Sequence, residues 1–536
     1  MKEINFSLPL GKLTKLLKSN DFWIIAVLFV TSLVSIAAFI HFYNNGLGLA
    51  YNDARSHLDI GRRVVEGLKP GIAQLGSVWL PLPHALMIPT VWNDWMWHSG
   101  LSGAIISMVS FVATAVLIYM YLKKLGIGII GRIFAVTIFV TNLNILYLQS
   151  TAMTELLLIA LMMAGSYYLL NYFLEDKIID LVKSAFWIML STLARYDGWL
   201  LLAFATILII ARAATRKGYK TAEGVFFMFC TLGGLGIVLW LLWNQLIFKD
   251  FLYFALGPYS ARAQQIQLED AGVLATKANL FFSLKTYTYA LVYNIGLLPV
   301  VLGVIGAIVG FCHKKINTQA KLAMTALFAP LVFNILALYL GHSVLFVQGI
   351  SGDTWFNVRY GIMLMPTAAI FCGLLIDKLV GIRALIAGLM AMFIFFAFFN
   401  ADTVTIDDAR VGSSQKNVTE VSGWLEQNTK NEKGFIMISV ASHDAIIFSS
   451  NLPMKRFIHE GTGAYWDAAG QNPDLWARWI IMRTNDVNDQ TFKAIMDKPG
   501  LANYDLVGKY PFADIYQIKP QFLGQLNYEP VFKGQK

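Results

Sequence analysis

The sequence predicts an all-α polytopic membrane protein of about eleven transmembrane helices, closed by a small C-terminal extracytoplasmic α/β domain. Three observations carry that expectation. The 536 residues are 57% hydrophobic and only 14% charged, too apolar for a soluble multidomain chain. Apolar runs recur along residues 22–400. From residue 401 those runs shorten, and turn signals such as Asn451-Leu452-Pro453 and Gln471-Asn472-Pro473-Asp474 take over.

The first run, 22–42, is long enough to span. It is too long for a signal-peptide core and has no small-residue cleavage site behind it, so it is expected to stay. Ahead of it, Lys12, Lys15 and Lys18 stand among leucines. This amphipathic stretch suits the cytoplasmic surface and puts the N-terminus inside. Further runs lie at 101–122, 128–149, 152–174, 181–194, 198–212, 223–248, 287–312, 320–341, 359–377 and 384–400. Alternating sides from the N-terminus puts Lys123-Lys124, Lys177, the Arg212–Lys220 cluster, Lys314-Lys315, Lys378 and Arg383 all on the cytoplasmic side. The net charge of +9 is therefore the positive-inside pattern rather than a nucleic-acid surface. Cys230, Cys312 and Cys372 all sit in apolar runs, which suggests neither a disulfide framework nor a thiolate metal cluster.

The runs 181–194 and 198–212 decide the parity. A single span there would flip every later basic loop outside, so they are expected to form a hairpin with Arg195-Tyr196-Asp197-Gly198 at its tip. Arms of about 15 residues are short of the roughly 20 a bilayer needs, which sinks this charged tip below the outer surface. Backbone and charge at that depth need protein or a water-filled cavity around them. Eleven spans also leave the C-terminus outside. The domains are then 1–400, with an outer loop at 43–100 carrying amphipathic helices, and 401–536. In the latter, 418–427 reads as an amphipathic helix and 434–440 as a buried strand. Asn417-Val418-Thr419 is a glycosylation sequon, a triplet common by chance.

Charged residues collect at the outer ends of the expected spans. Asp53 follows the first, Glu155 opens the fourth, Arg195 and Asp197 form the hairpin tip, and Arg359 opens the tenth. Ionisable groups at a membrane boundary are costly to place and mark functional sites. Arginines grip phosphate bidentately and a carboxylate can take a hydroxyl proton, so the set suits a lipid phosphate. Blander roles stand beside these. Asp53 can cap a helix over 54–67, Glu155 can favour a helix dipole, and Arg195 can simply pair with Asp197. Asp59, Arg62, Arg63 and Glu66 are expected on a solvated or headgroup-facing helix side. Asp53 and His57 share a helix face and, with His84, can be drawn as metal ligands. Without a tight signature, a divalent metal is the less favoured reading, and no cofactor is required. Trp92, Trp95 and Trp97 read as interface anchors, whereas Trp79 in the proline-stiffened loop 75–84 is the one placed to line a sugar or acceptor pocket.

An acid after the first span, a long outer loop with amphipathic helices, and Val358-Arg359-Tyr360 followed by Pro366 together resemble the GT-C superfamily of membrane glycosyltransferases. Within it the chain is similar to the protein O-mannosyltransferases and the lipid A aminoarabinose transferase. Met153-Thr154-Glu155 and Arg195-Tyr196-Asp197-Gly198-Trp199 are similar to motifs of the same group. The resemblance covers about 1–400. Where O-mannosyltransferases have two adjacent acids, this chain has Asp53-Ala54, which leaves the acceptor open.

The resemblance implies an inverting transfer of a sugar from a polyprenyl-phosphate donor to a lipid, glycan or protein hydroxyl on the extracytoplasmic face of a prokaryotic plasma membrane. Asp53 would be the base. Arg359, Arg195, Tyr360 and Arg55 would hold the donor phosphate, with Glu155, Asp197, His57, Trp79 and His84 around the sugar and acceptor. A polymerase or ligase of lipid-linked glycans is the alternative within the class. A transporter or flippase of a lipid-linked sugar is the alternative outside it, although such proteins favour repeats and midplane charges absent from this sequence.

Overall fold

The computed structural model describes residues 20–257, 260–270, 272–411, 418–484, 486 and 489–528. The lysine stretch at 12–18 and Asn417 of the sequon lie outside the described residues. A bundle of apolar helices fills the first three-quarters of the chain, and a mixed sheet with flanking helices fills the rest.

Among the described residues, eight helices are long and apolar enough to cross a membrane, or nine if one bent pair counts as a single span. The expected eleven runs are all helical, but three depart from a plain span. The third stops at Val140 and resumes as Leu143–Leu148, where the Asn142 side chain accepts from the Ile145 amide and starts a new helix. The fifth, Ile178–Thr192, is a 15-residue arm. The run 287–312, expected as one span, breaks into Leu280–Ile295 and Leu297–Cys312 with a bend of 110°. The hinge is Gly296, at φ +94° with the Phe393 ring 2.2 Å from where a Cβ would stand. Only glycine fits such a corner at low cost.

Gly303, Gly306 and Gly310 come against Ala368, Phe371 and Leu374 in turn, so Leu297–Cys312 runs parallel to Met365–Lys378. Its partner Leu280–Ile295 instead lies on the segment Val358–Leu364, with the Tyr287 hydroxyl donating to the Tyr360 carbonyl at 3.2 Å and the Asn294 amide to that of Val358 at 2.7 Å. The expected hairpin forms as Ile178–Thr192 and Asp197–Lys217, joined through 193–196.

The C-terminal sheet has the strand order β2-β1-β3-β5-β4, with β1 Phe435–Met437, β2 Phe457–Ile458, β3 Ala477–Met482, β4 Tyr504–Lys509 and β5 Asp514–Ile518. β1 pairs in parallel with β2 and β3, while β5 runs antiparallel to β3 and β4. The expected strand and the helix before it, Val418–Thr429, are both present.

Asp59, Arg62 and Arg63 do not face solvent or headgroups but are buried. Their helix, Asn52–Val65, is covered on that side by the C-terminal domain and the loop helices. Arg63 pairs with Asp444 at 2.5 Å. Arg62 pairs with the half-buried Glu66 at 2.5 Å and with Asp94, and lies over the Trp97 ring at 4.7 Å. Burial pushes the Asp59 carboxyl well above its usual range, reinforced by Asp444 and opposed by Arg63. Trp97 is likewise buried rather than an interface anchor, whereas Trp92 and Trp95 are exposed.

Candidate active site

Four elements bring their charged residues to one end of the bundle. Asp53 stands in the first turn of Asn52–Val65; its neighbour Tyr51 holds the cap position, and no side chain caps this helix. Asp53 is therefore free of the capping role. Glu155 opens Glu155–Glu175. Arg195 and Asp197 come from the hairpin tip. Arg359 lies in the 3₁₀ segment Val358–Leu364, ahead of the helix that Pro366 starts. Gly361 in that segment lets the helix Leu280–Ile295 approach, since a Cβ would stand 2.2 Å from the Ala290 carbonyl oxygen.

Arg359 is the hub. Its Nη2 meets Asp53 Oδ2 at 2.5 Å, its Nε donates to Glu155 Oε1 at 3.1 Å, and its Nη1 lies 3.7 Å from Asp408 Oδ2. Glu155 Oε1 also accepts from Arg195 Nη1 at 3.2 Å, so one carboxylate oxygen bridges both guanidiniums. Arg195 donates in addition to Thr154 Oγ1 at 3.2 Å and lies 3.5 Å from Asp197. The Tyr360 ring sits beneath both arginines, 5.0 Å from Arg195 and 5.4 Å from Arg359. Such crowding of charge in a buried place is stable only because each ion is paired.

Exposure separates these groups by role. Glu155, Asp197, Asp408 and Arg359 are buried, whereas Asp53 keeps 32% and Arg195 19% of its side chain exposed. A ligand arriving from outside meets Asp53 and Arg195 first.

Beside Asp53, one helical turn on, His57 Nδ1 lies 2.8 Å from His84 Nε2. Trp79 packs on the His57 ring at 4.3 Å and is itself 37% exposed. The loop carrying Trp79 is tied to the hairpin tip, where the Tyr196 hydroxyl donates to the Val78 carbonyl at 2.7 Å and the Leu82 amide to that of Leu193 at 3.0 Å. Burial, then Arg195 and Arg359, pull His57 down to about 3; burial, then His57 and Arg63, hold His84 well below the usual range. Both imidazoles are neutral at pH 7. Among the described residues, no three His, Cys, Asp or Glu side chains converge as a metal-ligand group, and the two histidines spend a nitrogen each on one another.

Arg55 is not brought to the cluster. Its guanidinium donates to the Leu49 carbonyl at 2.9 Å and to Ser449 at 3.2 Å, toward the C-terminal domain. Conversely, Tyr51 and Asp408 are in the cluster without having been singled out. The Tyr51 hydroxyl donates to Asp408 Oδ2 at 3.1 Å, and its ring lies 4.9 Å below Arg359. The signal for Asp408 was legible in kind. Asp407-Asp408 follows the last apolar run as Asp53 follows the first.

The sequence matches no family model and no curated protein. Solved structures do match. ArnT from Cupriavidus metallidurans bound to undecaprenyl phosphate is similar over 94% of this chain and 99% of its own, at 10% identity and a TM-score of 0.53. Its apo form matches over 91% and 98%, also at 10% identity and 0.53. The oligosaccharyltransferase AglB from Archaeoglobus fulgidus, in complex with an inhibitory peptide and a dolichol-phosphate, matches over 86% of this chain and 69% of its own, at 11% identity and 0.50. Over nearly its whole length, the chain shares the fold of ArnT, that of a polytopic membrane protein with a C-terminal α/β domain.

Proposed function

We propose that this protein is an inverting glycosyltransferase that moves a sugar from a polyprenyl-phosphate donor to an acceptor hydroxyl on the extracytoplasmic side of the membrane. The observation that carries this reading is that Asp53, alone among the four acids of the cluster, is accessible while held against an arginine. The arrangement supports a single displacement. Asp53 takes the acceptor proton as the hydroxyl oxygen attacks the anomeric carbon. Arg195 and Arg359 stabilise the lipid phosphate that leaves, with Tyr360 supporting both guanidiniums from below.

A phosphate leaves without being protonated, so one acid suffices where glycoside hydrolysis needs two. For the same reason the mechanism calls on no metal. Glu155 and Asp197 orient the arginines. Trp79, backed by the buried His57–His84 pair, offers the sugar an exposed aromatic face, which suits a pyranose better than a phosphate. The neighbours' lipids support the donor class: one structure holds undecaprenyl phosphate and another a dolichol-phosphate.

The test is Asp53→Asn in purified protein supplied with undecaprenyl-phosphate-linked sugars. Turnover is expected to fall by a factor of order 10² or more while donor binding persists. Transfer at near wild-type rate would refute Asp53 as the base.

A further inference from the structure

The arginines of the site are outnumbered. Arg195 and Arg359 face Asp53, Glu155, Asp197 and Asp408 within 3.7 Å, four carboxylates against two guanidiniums. A site meant only to grip an anion would not carry that surplus. Asp408 is its least explained member. It is fully buried, and its Oδ1 has no hydrogen-bond partner.

Asp408 is also held firmly in place. Its helix, Val404–Val411, is anchored where the Thr405 amide and hydroxyl both donate to Asn144 Oδ1, at 3.0 and 2.8 Å. The Tyr51 hydroxyl fixes Oδ2. Burial, then Asp408 itself, push Tyr51 well above the usual phenol range, so this hydroxyl stays a donor.

We infer that Asp408 is a positioning residue for Arg359 whose negative charge weakens the grip of the site on the lipid phosphate after transfer. The inference rests on the donor class proposed above. A sugar-phosphate lipid is a phosphodiester with one negative charge. The lipid phosphate left by the transfer is a monoester and carries up to two. A fixed buried carboxylate beside Arg359 therefore disfavours product more than donor, and it hastens release.

The experiment measures binding of undecaprenyl phosphate to the purified full chain, together with kcat and donor KM, in wild type, Asp408→Asn, Tyr51→Phe and Arg359→Ala. Asp408→Asn keeps an acceptor for Tyr51 and removes the charge. Its Kd for undecaprenyl phosphate is expected to fall about threefold or more, with kcat reduced and product inhibition stronger. Tyr51→Phe keeps the ring under Arg359 and frees Oδ2 to pair with it more closely, so its Kd is expected to rise about twofold or more. A residue with only a structural role would weaken binding in both variants or change neither. An unchanged or raised Kd in folded Asp408→Asn overturns the inference. Should that variant fail to fold, an unchanged or lowered Kd in Tyr51→Phe overturns it instead. If wild type does not bind undecaprenyl phosphate, or binds it no better than Arg359→Ala, the proposed function fails and this inference with it.

Discussion

Arg359 shows how much of a site one residue can organise. Its guanidinium reaches carboxylates from three elements at once, through Nε to Glu155, Nη2 to Asp53 and Nη1 toward Asp408. A planar fork with five donors does this; an ammonium on a flexible stem cannot. Arg359→Lys is therefore expected to bind undecaprenyl phosphate at least about tenfold more weakly than wild type, close to Arg359→Ala. Lysine restoring wild-type affinity would show that charge alone matters there. The residues readable from sequence were those whose cost was local. Asp53, Glu155, Arg195, Asp197 and Arg359 each break an apolar boundary, and the expense of a charge there is visible without knowing any partner. The burial of Arg63 was not readable, because its partner Asp444 stands 381 residues away. Arg55 misled for the same reason, its contact with Ser449 being equally remote.

At the scale of elements, the hairpin was legible because two short apolar arms flank a charged tip and loop charge demands an even number of passes. The break at Gly296 was not. The run 287–312 is continuously apolar, and glycine within it reads as tolerated packing. Structurally it turns the chain from a helix lying on the Arg359 segment into one packed along Met365–Lys378, and so sets the height of Tyr287 and Asn294 against Tyr360 and Val358. Gly296→Val places a branched side chain at φ +94° and into the Phe393 ring. Backbone strain alone costs about 1–3 kcal/mol. The expected result is a lower unfolding temperature and less monodisperse protein by size exclusion. A variant as stable as wild type would mean that the bend is relaxed elsewhere. Similarly, the helix Val404–Val411 was assigned to the outer domain by its composition, yet Thr405 and Asp408 bind it to the bundle.

For the whole molecule, the first outer helix is what joins the two parts. One face of Asn52–Val65 presents Asp53 and His57 to the site; another buries Asp59 and Arg63 against the C-terminal domain. Trp97 meets Phe448 edge to face at 5.6 Å on the same seam. Arg63→Met leaves Asp444 buried without its guanidinium partner, a loss of about 3–5 kcal/mol. A marked drop in thermal stability is expected, with most of it recovered when Asp444→Asn is added. No drop in the single variant would show that the seam does not depend on this charge pair.

The proposed site has its most direct test in the position of a bound lipid phosphate. In a cryo-electron microscopy structure of the purified protein with undecaprenyl phosphate, the phosphate is expected within hydrogen-bond reach of Arg195 and Arg359, with Asp53 beside it. A phosphate bound at the opposite end of the bundle, with the Asp53–Arg359 pair unoccupied and undisturbed, would contradict the account.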